Sequence, residues 1–528
     1  MTARQRGPDA LVEEVVRGVP LTCYASRPGS VVEVLEQALP RSADDVLLVD
    51  PARGSTTTYG QFADLVEGAA AGLLARGLRP GDRVALLVRN GLEAAVAIWA
   101  CARAGLVHVG LPADAPADRL GALLELTGAA LVLAAPDLVA GAREASGSVP
   151  VEDAAVLLAD PAPWQAGRAL PDQDETYCLI ATSGTTGRPK AVRVTGRMTG
   201  HAAAFYSRTL GLLPSDRTAI HLPFAWVSGH VTQLAPAMLT GGSAVTMAAF
   251  SAPALVRTAV EHGVSWLDVV PSIFEMLLRT PEFALPGLAG VRLAVFGGAP
   301  APPGTLDRVR ERLPQLRMVD VYALSETCAP VTWLPDPEAR RKSGSVGRPA
   351  PYCELRLVGP SGDEVGRGEP GEVHVRSPAV TPGYWGDEPS PLTSDGWLRT
   401  GDVGRLDEEG YLHVGGRAVD LIIRGGVNVY PAEVERALLA AGGLSDAAVV
   451  GVPSALSGEN VAAAVVALPG TEPDVGALQR AVRDRLGAHA VPQPLRVVAD
   501  LPRNRNGKVD RAALRALLSS AGRGGADR

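Results

Sequence analysis

The sequence predicts an α/β protein: a large multi-layer N-terminal domain with mixed sheets and a β-rich subdomain, followed by a small α+β C-terminal domain. Three observations carry this expectation. The chain has 528 residues, too many for one compact core, so two or more domains are the default. Helical spacing in 61–74 and 92–101 alternates with β-branched runs such as Arg83–Leu87 and 106–110, a βαβ rhythm that calls for a layered sheet. From about Pro349 the pattern changes to short strands separated by turns.

Taken in order, the βαβ rhythm continues through apolar strands at 131–134, 244–247, 266–270 and 293–296, with only local Gly/Pro punctuation and no internal repeat. The β-rich stretch reads as strands at 353–358, 371–376, 396–399 and 410–414, divided by the turn signals PSGD, GDEP and LDEEG. After Arg417 comes a compact unit. Pro431 opens a helix with Glu433 and Glu435 near its start and Gly442 at its end, strands follow at 447–452 and 461–467, and a second helix spans 475–486. The expected division is therefore 1–418, with the β-rich subdomain at about 349–418, and 419–528.

Bulk composition excludes several functions. A net charge of -7 and a longest basic run of Arg340-Arg341-Lys342 offer no footprint for a nucleic-acid backbone. Five scattered cysteines without a CxxC pair indicate neither a disulfide framework nor a zinc site, which suits a reducing cytoplasm. The N-terminus lacks a signal-peptide core, and the most apolar segment, 94–102, stops at Arg103, so no membrane span is expected. Of fifty basic residues only Lys190, Lys342 and Lys508 are lysines. In a chain so biased to arginine, a retained lysine suggests a task for a compact, mobile point charge, although Lys342 reads as a solvated loop charge.

The segment 182–190, TSGTTGRPK, follows an apolar strand and sets four hydroxyl residues and two glycines before a lysine, a backbone suited to wrapping phosphate oxygens. It is not the common GxxxxGK loop. Pro189 stands where that loop needs glycine, and 191–195 alternates like a strand instead of opening a helix. A strand–loop–strand phosphate grip is the reading that survives.

With its companions, this loop resembles the signature of the adenylate-forming superfamily, which includes acyl-CoA synthetases, luciferases and peptide-synthetase adenylation domains. The companions occur in order: Gly297-Gly298-Ala299-Pro300, then Tyr322-Ala323-Leu324-Ser325-Glu326 for YGxTE, Thr400-Gly401-Asp402 for TGD, Gly416-Arg417-Ala418-Val419-Asp420 for GRxxD, and Asn506-Gly507-Lys508 for the terminal GK. The match runs from about Thr57 to Arg511.

The resemblance implies ATP-dependent activation of a carboxylic acid as acyl-AMP with pyrophosphate release, then transfer to a thiol. Thr182, Ser183, Gly184, Thr185, Thr186 and Lys190 would hold phosphates, and Thr186, Glu326 and Lys508 would be the catalytic set. Glu326 would ligate Mg²⁺. Gly297, Gly298, Ala299, Pro300 and Tyr322 would form the adenine slot, Asp402 would take the ribose hydroxyls, and Asp320, Ser325 and Arg417 would complete the nucleotide site. A mobile C-terminal domain would turn about Val419, where many relatives carry a charged residue. Arg424 to Pro431, RGGVNVYP, resembles the pantetheine passage of acyl-CoA synthetases, with Gly425 and Gly426 along the thiol channel and coenzyme A as the acceptor.

The acyl pocket is expected from Trp226, Val227, Ser228, Val269, Phe296, Ala323 and Val331. The acidic residue that amino-acid-activating relatives carry near 224–230 is absent, which argues for a small or medium acid without an α-amino group. His221 and His230 read as structural, because a carboxylic acid is already ionised at neutral pH. Three departures from the family pattern, Trp226, Ala323 and Val419, leave open a second reading, a stand-alone adenylating enzyme that loads a carrier-protein phosphopantetheine or spends ATP activation on another bond such as a diazo group. A non-enzymatic binding protein would have no use for Glu326 and Lys508. A homodimer remains open.

Overall fold

The structure, a computed structural model, describes residues 10–159, 163–164, 170–183, 189–301, 304–417, 420–425, 427–454, 457–503 and 509–519. The chain opens with a hairpin of β1 (Leu11–Val16) and β2 (Val19–Tyr24). Its two-residue turn puts Arg17 at φ 51° and Gly18 at φ 80°, the left-handed geometry that matches strand twist. The hairpin is fastened by charge: Arg27 and Arg197 both bond Glu14, and Arg197 also grips Asp174.

Strands β3 (Val46–Asp50) and β4 (Ser55–Thr58) form one edge of a nine-stranded sheet. The chain then builds a six-stranded sheet from β5 (Arg83–Leu87), β6 (Val107–Gly110), β7 (Ala129–Ala134), β8 (Val151–Asp153), β9 (Thr176–Ser183) and β10 (Pro189–Thr195), in the order β10-β9-β6-β5-β7-β8. It returns to the nine-stranded sheet with β11 (Arg217–Ile220), β12 (Ser243–Thr246), β13 (Trp266–Val269), β14 (Leu293–Gly297), β15 (Arg317–Tyr322), β16 (Thr332–Pro335) and β17 (Arg348–Pro349). Both sheets are mixed: their centres are parallel, and antiparallel strands such as β10 and β16 lie toward the edges.

Strand alternation decides which side chain enters which core. Val84 and Leu86 join the large core shared with Leu293, Val295, Val319 and Val321, whereas Ala85 and Leu87 face a separate core with Leu123 and Val132. The helix Leu92–Ala104 lies in the shared core and has eleven buried residues, as expected of a helix enclosed on every side. Trp99 is fully buried there, and its indole N–H donates to the carbonyl of Val31 at 3.0 Å.

The β-rich stretch is a four-stranded antiparallel sheet of β18 (Glu354–Val358), β19 (Gly371–Arg376), β20 (Leu398–Leu406) and β21 (Leu412–Arg417). The last unit has β22 (Ile422–Arg424), β23 (Val427–Val429), β24 (Leu444–Ser454), β25 (Gly458–Ala467) and β26 (Leu495–Val498), with one core on each face. Its helices Pro431–Ala440 and Val475–Leu486 lie where the sequence reading places them. Glu435, near the start of the first of these, turns inward. Its carboxylate accepts from the Val449 N–H at 2.9 Å, lies beside Arg511 and is pushed up by burial.

Candidate active site

The hairpin β9–β10 pairs Thr182 with Lys190 and Ser183 with Pro189, so the segment after the lysine is a strand, as its alternation required. Beyond β10 on the same edge lies a run from the β-rich stretch. Tyr384 bridges Val192, Arg193 N–H donates to Gly383 O, Trp385 N–H donates to Ala191 O, and the Thr381 hydroxyl donates to Arg193 O. This run also takes hold of the turn after β15, through Thr381 N–H to Glu326 O at 2.7 Å.

Four side chains thereby meet. The Lys190 ammonium lies 4.9 Å above the Tyr384 ring and 2.9 Å from a Glu388 carboxylate oxygen. The Tyr384 hydroxyl donates to Glu326 at 2.9 Å. Tyr384 and Glu388 are absent from the sequence reading. Their signal was an aromatic pair, Tyr384-Trp385, inside a Gly/Pro-rich loop, followed by an acidic pair.

Glu326 stands on a tight reversal between β15 and β16. Val331 N–H closes it onto Tyr322 O at 2.8 Å, the Thr327 hydroxyl knots its interior, and Cys328 is forced to φ 52°. A non-glycine residue in that region stores strain that the surroundings must hold. The reversal presents Ala323, Ser325 and Glu326, all half-buried.

At the root of this turn the Tyr322 hydroxyl donates to Asp402 at 2.5 Å, and Arg417 pairs with the other Asp402 oxygen at 2.8 Å. The Thr400 hydroxyl accepts from Asp402 N–H, and Arg417 also bonds Thr400 O. The neighbouring turn has its own constraint: a Cβ on Gly297 would lie 2.2 Å from Val321 O, and Gly298 is at φ 79°. Asp320, half-buried beside them, has its carboxyl pushed up to about 7 by burial. These groups gather at the carboxyl ends of β14 and β15, where parallel sheets bind ligands.

The segment 224–228 rests on the end of β6, so close that a Cβ on Gly110 would lie 2.5 Å from Ala225 O. Asn90 clamps its approach, donating to Ile220 O and Leu222 O and accepting from Phe224 N–H. Trp226, Val227 and Ser228 are half-buried, and a π-helical turn, Ser228–Leu234, follows, a feature frequent at functional sites. Val269, Phe296 and Val331 are not brought to an accessible wall. Val269 and Phe296 pack with Phe274 in the core on the far face of the nine-stranded sheet, and Val331 lies in the β-rich core. His221 and His230 are buried, and burial pulls both to about 4.

Gly184, Thr185, Thr186, Val419, Gly426 and Lys508 lie outside the described residues. Gly425 is at φ 58°, with its N–H on Ser457 O. Lys342 departs from expectation. It is 14% exposed, bonds Asp407 and Glu409, and covers the Tyr411 ring, so it ties the β20–β21 turn to the segment between β16 and β17 instead of standing in solvent. All five cysteines are free thiols.

This fold, with a hydroxyl-rich hairpin ending in lysine, a turn-borne glutamate and a tyrosine–aspartate pair, defines an adenylate-forming enzyme. The chain belongs to the AMP-binding enzyme family: the model of that family matches residues 35–385, and the model of its C-terminal domain matches 433–508. Among relatives, it is 34% identical to the sulfoacetate–CoA ligase of Cupriavidus necator over 484 residues, which cover 89% of this chain and 94% of the relative. It is 32% identical to a feruloyl-CoA synthase of an Amycolatopsis species over 467 residues, covering 88% and 94%. Among solved structures, ATP-bound MatB from Rhodopseudomonas palustris superposes with a TM-score of 0.85 at 28% identity, over 93% of this chain and 99% of that one.

Proposed function

We propose that this protein joins a small or medium carboxylic acid to ATP, releasing pyrophosphate and forming an acyl-adenylate, and then passes the acyl group to the thiol of coenzyme A. The observation that supports this reading is the line of contacts from Lys190 over the Tyr384 ring to Glu326, and from Tyr322, at the root of the turn that carries Glu326, to Asp402. In the first step a carboxylate oxygen attacks the α-phosphorus and pyrophosphate leaves. In the second the thiol attacks the acyl carbonyl and AMP leaves. Two anions must approach in the first step, so the site needs cations and oriented donors more than a nucleophilic side chain.

Lys190, with Thr182 and Ser183 on the paired strand and Gly184, Thr185 and Thr186 beyond them, would hold the departing phosphates. Asp402, already oriented by Tyr322 and Arg417, would accept from the ribose hydroxyls. Gly297–Pro300 and Tyr322 would bound the adenine, with Asp320 and Ser325 beside it. The Glu326 carboxylate, held by a tyrosine hydroxyl and reached from a half-buried turn, is a hard oxygen donor suited to Mg²⁺, which would neutralise phosphate charge. Trp226, Val227, Ser228 and Ala323 would meet the acid. The chain would divide near 418/419, letting the C-terminal part deliver Lys508 for adenylation and Gly425 and Gly426 for the thiol. No helix among the described residues is long and apolar enough to cross a membrane, which fits an enzyme of the cytoplasm.

The test is a panel of sulfonated, aryl and short aliphatic acids incubated with Mg-ATP and coenzyme A, with pyrophosphate release and thioester mass both measured. Acid-dependent pyrophosphate with a CoA thioester is expected. Adenylate without thioester for every acid would refute coenzyme A as acceptor and favour the carrier-protein reading. Lys508→Ala should lower adenylate synthesis by roughly two to three orders of magnitude, the cost of losing one charge-stabilising donor, while thiolysis of supplied acyl-adenylate persists.

A further inference from the structure

The cation that grips phosphate in the proposed reaction is already occupied. Lys190 Nζ lies 2.9 Å from Glu388 Oε2, with the two side chains 21% and 30% exposed, and it covers the ring of Tyr384, whose hydroxyl holds Glu326. One carboxylate, Glu388, therefore holds the ammonium before any nucleotide arrives, and a second, Glu326, is held by the hydroxyl of the tyrosine whose ring that ammonium covers. A triphosphate drawn to Lys190 meets Glu388 as a like charge at close range, which disfavours both staying.

The backbone separates the two acids. The run carrying Tyr384 is stitched to β10 through the Thr381 hydroxyl, Arg193 N–H and Trp385 N–H. The last of these bonds is at Trp385. Gly386 follows at φ 81°, and Glu388 is two residues further on. Glu388 can thus swing clear while Tyr384 stays in place and keeps Glu326 aimed.

We propose that Glu388 is a stand-in for the triphosphate: it holds Lys190 in the resting enzyme and is displaced when the β- and γ-phosphates enter. Tyr384 is the positioning residue that keeps Lys190 and Glu326 together during the exchange. The proposal rests on the reading in which Lys190 holds those phosphates. Breaking a partly exposed ion pair of this kind sets the resistance that ATP meets, and it makes affinity depend on triphosphate charge.

The test is calorimetric titration of the full-length protein with Mg-ATP, Mg-pyrophosphate and AMP, without acid. Glu388→Gln should tighten Mg-ATP and pyrophosphate binding about two- to fivefold, the size expected for such a pair, and leave AMP unchanged, because AMP lacks the phosphates that compete. Glu388→Ala should act in the same direction. In a Lys190→Gln background the Glu388→Gln effect should vanish. Unchanged or weaker ATP binding, an equal shift for AMP, or an effect that survives without Lys190 would overturn the proposal. Because binding is read without acid, failure here is distinct from failure of the adenylation reading, which acid-dependent pyrophosphate release tests.

Discussion

At the scale of single residues, the site depends on short contacts between positions far apart in sequence. The Tyr322 hydroxyl at 2.5 Å from Asp402 is a hydrogen bond to a charged acceptor, worth about 1.5 to 3 kcal/mol. Tyr322→Phe keeps the ring but removes this donor from Asp402, so under the proposed ribose role of Asp402 the KM for ATP should rise about tenfold or more while the KM for the acid barely moves. Steady-state kinetics with each substrate varied in turn will show the split, and equal changes in both would remove Asp402 from the ribose role. Lys190, Glu326, Tyr322 and Asp402 were legible because each sits in a short local motif. Tyr384 and Glu388 were not, since their meaning lies in contacts with Glu326, 58 positions away, and with Lys190 on another sheet. Lys342 misled for a related reason: its partners Asp407 and Glu409 reach it only through the β-rich fold.

At the scale of elements, the contact between β14 and β15 sets the shape of the nucleotide turn. With Val321 O only 2.2 Å from where a Gly297 Cβ would sit, Gly297→Ala must force the strands apart. A loss of about 1 to 3 kcal/mol is expected, the usual cost of overpacking, read as a lower thermal midpoint together with weaker ATP binding. An unchanged midpoint would mean the turn adapts freely. Most strands were readable because alternation of β-branched residues survives in isolation: Arg83–Leu87 and Gly371–Arg376 match their expected bounds, and the others shift at their ends. The hairpin β1–β2 went unseen because Glu13 and Glu14 break the apolar pattern, and the partners of Glu14, Arg27 and Arg197, lie outside it. The π-helical turns Phe205–Thr209 and Ser228–Leu234 were also hidden, since one wide turn does not change residue spacing enough to separate it from an α-helix.

At the scale of the whole molecule, two sets of buried groups pull stability in opposite directions with pH. Burial lowers His201 to about 3 and His221 to about 4, so between pH 6.5 and 4 the unfolded chain gains protons the folded one refuses, and stability falls as pH falls. Burial raises Asp268 and Asp320 from 3.8 to about 7. Between pH 4 and 7 the unfolded chain ionises them while the fold keeps them protonated, so their contribution is lost as pH rises. Relative to the parent, the thermal midpoint of Asp268→Asn should improve steadily from pH 4 to 7 and then level off. That of His221→Gln should improve as pH drops from 6.5 to 4. Parallel midpoint curves for variant and parent would contradict these assignments. The run that covers the outer edge of β10 also governs how the chain comes off the ribosome. Its Thr381 follows Arg193, the residue it bonds, by 188 positions, so at roughly 5 to 20 residues per second the strand stays uncovered for roughly 10 to 40 seconds of synthesis. A bare strand edge is a template for unwanted pairing. Nascent chains arrested before Thr381 should therefore aggregate more readily than chains arrested a few dozen residues later, and the β9–β10 hairpin, though made early, would keep a bare edge until that run emerges.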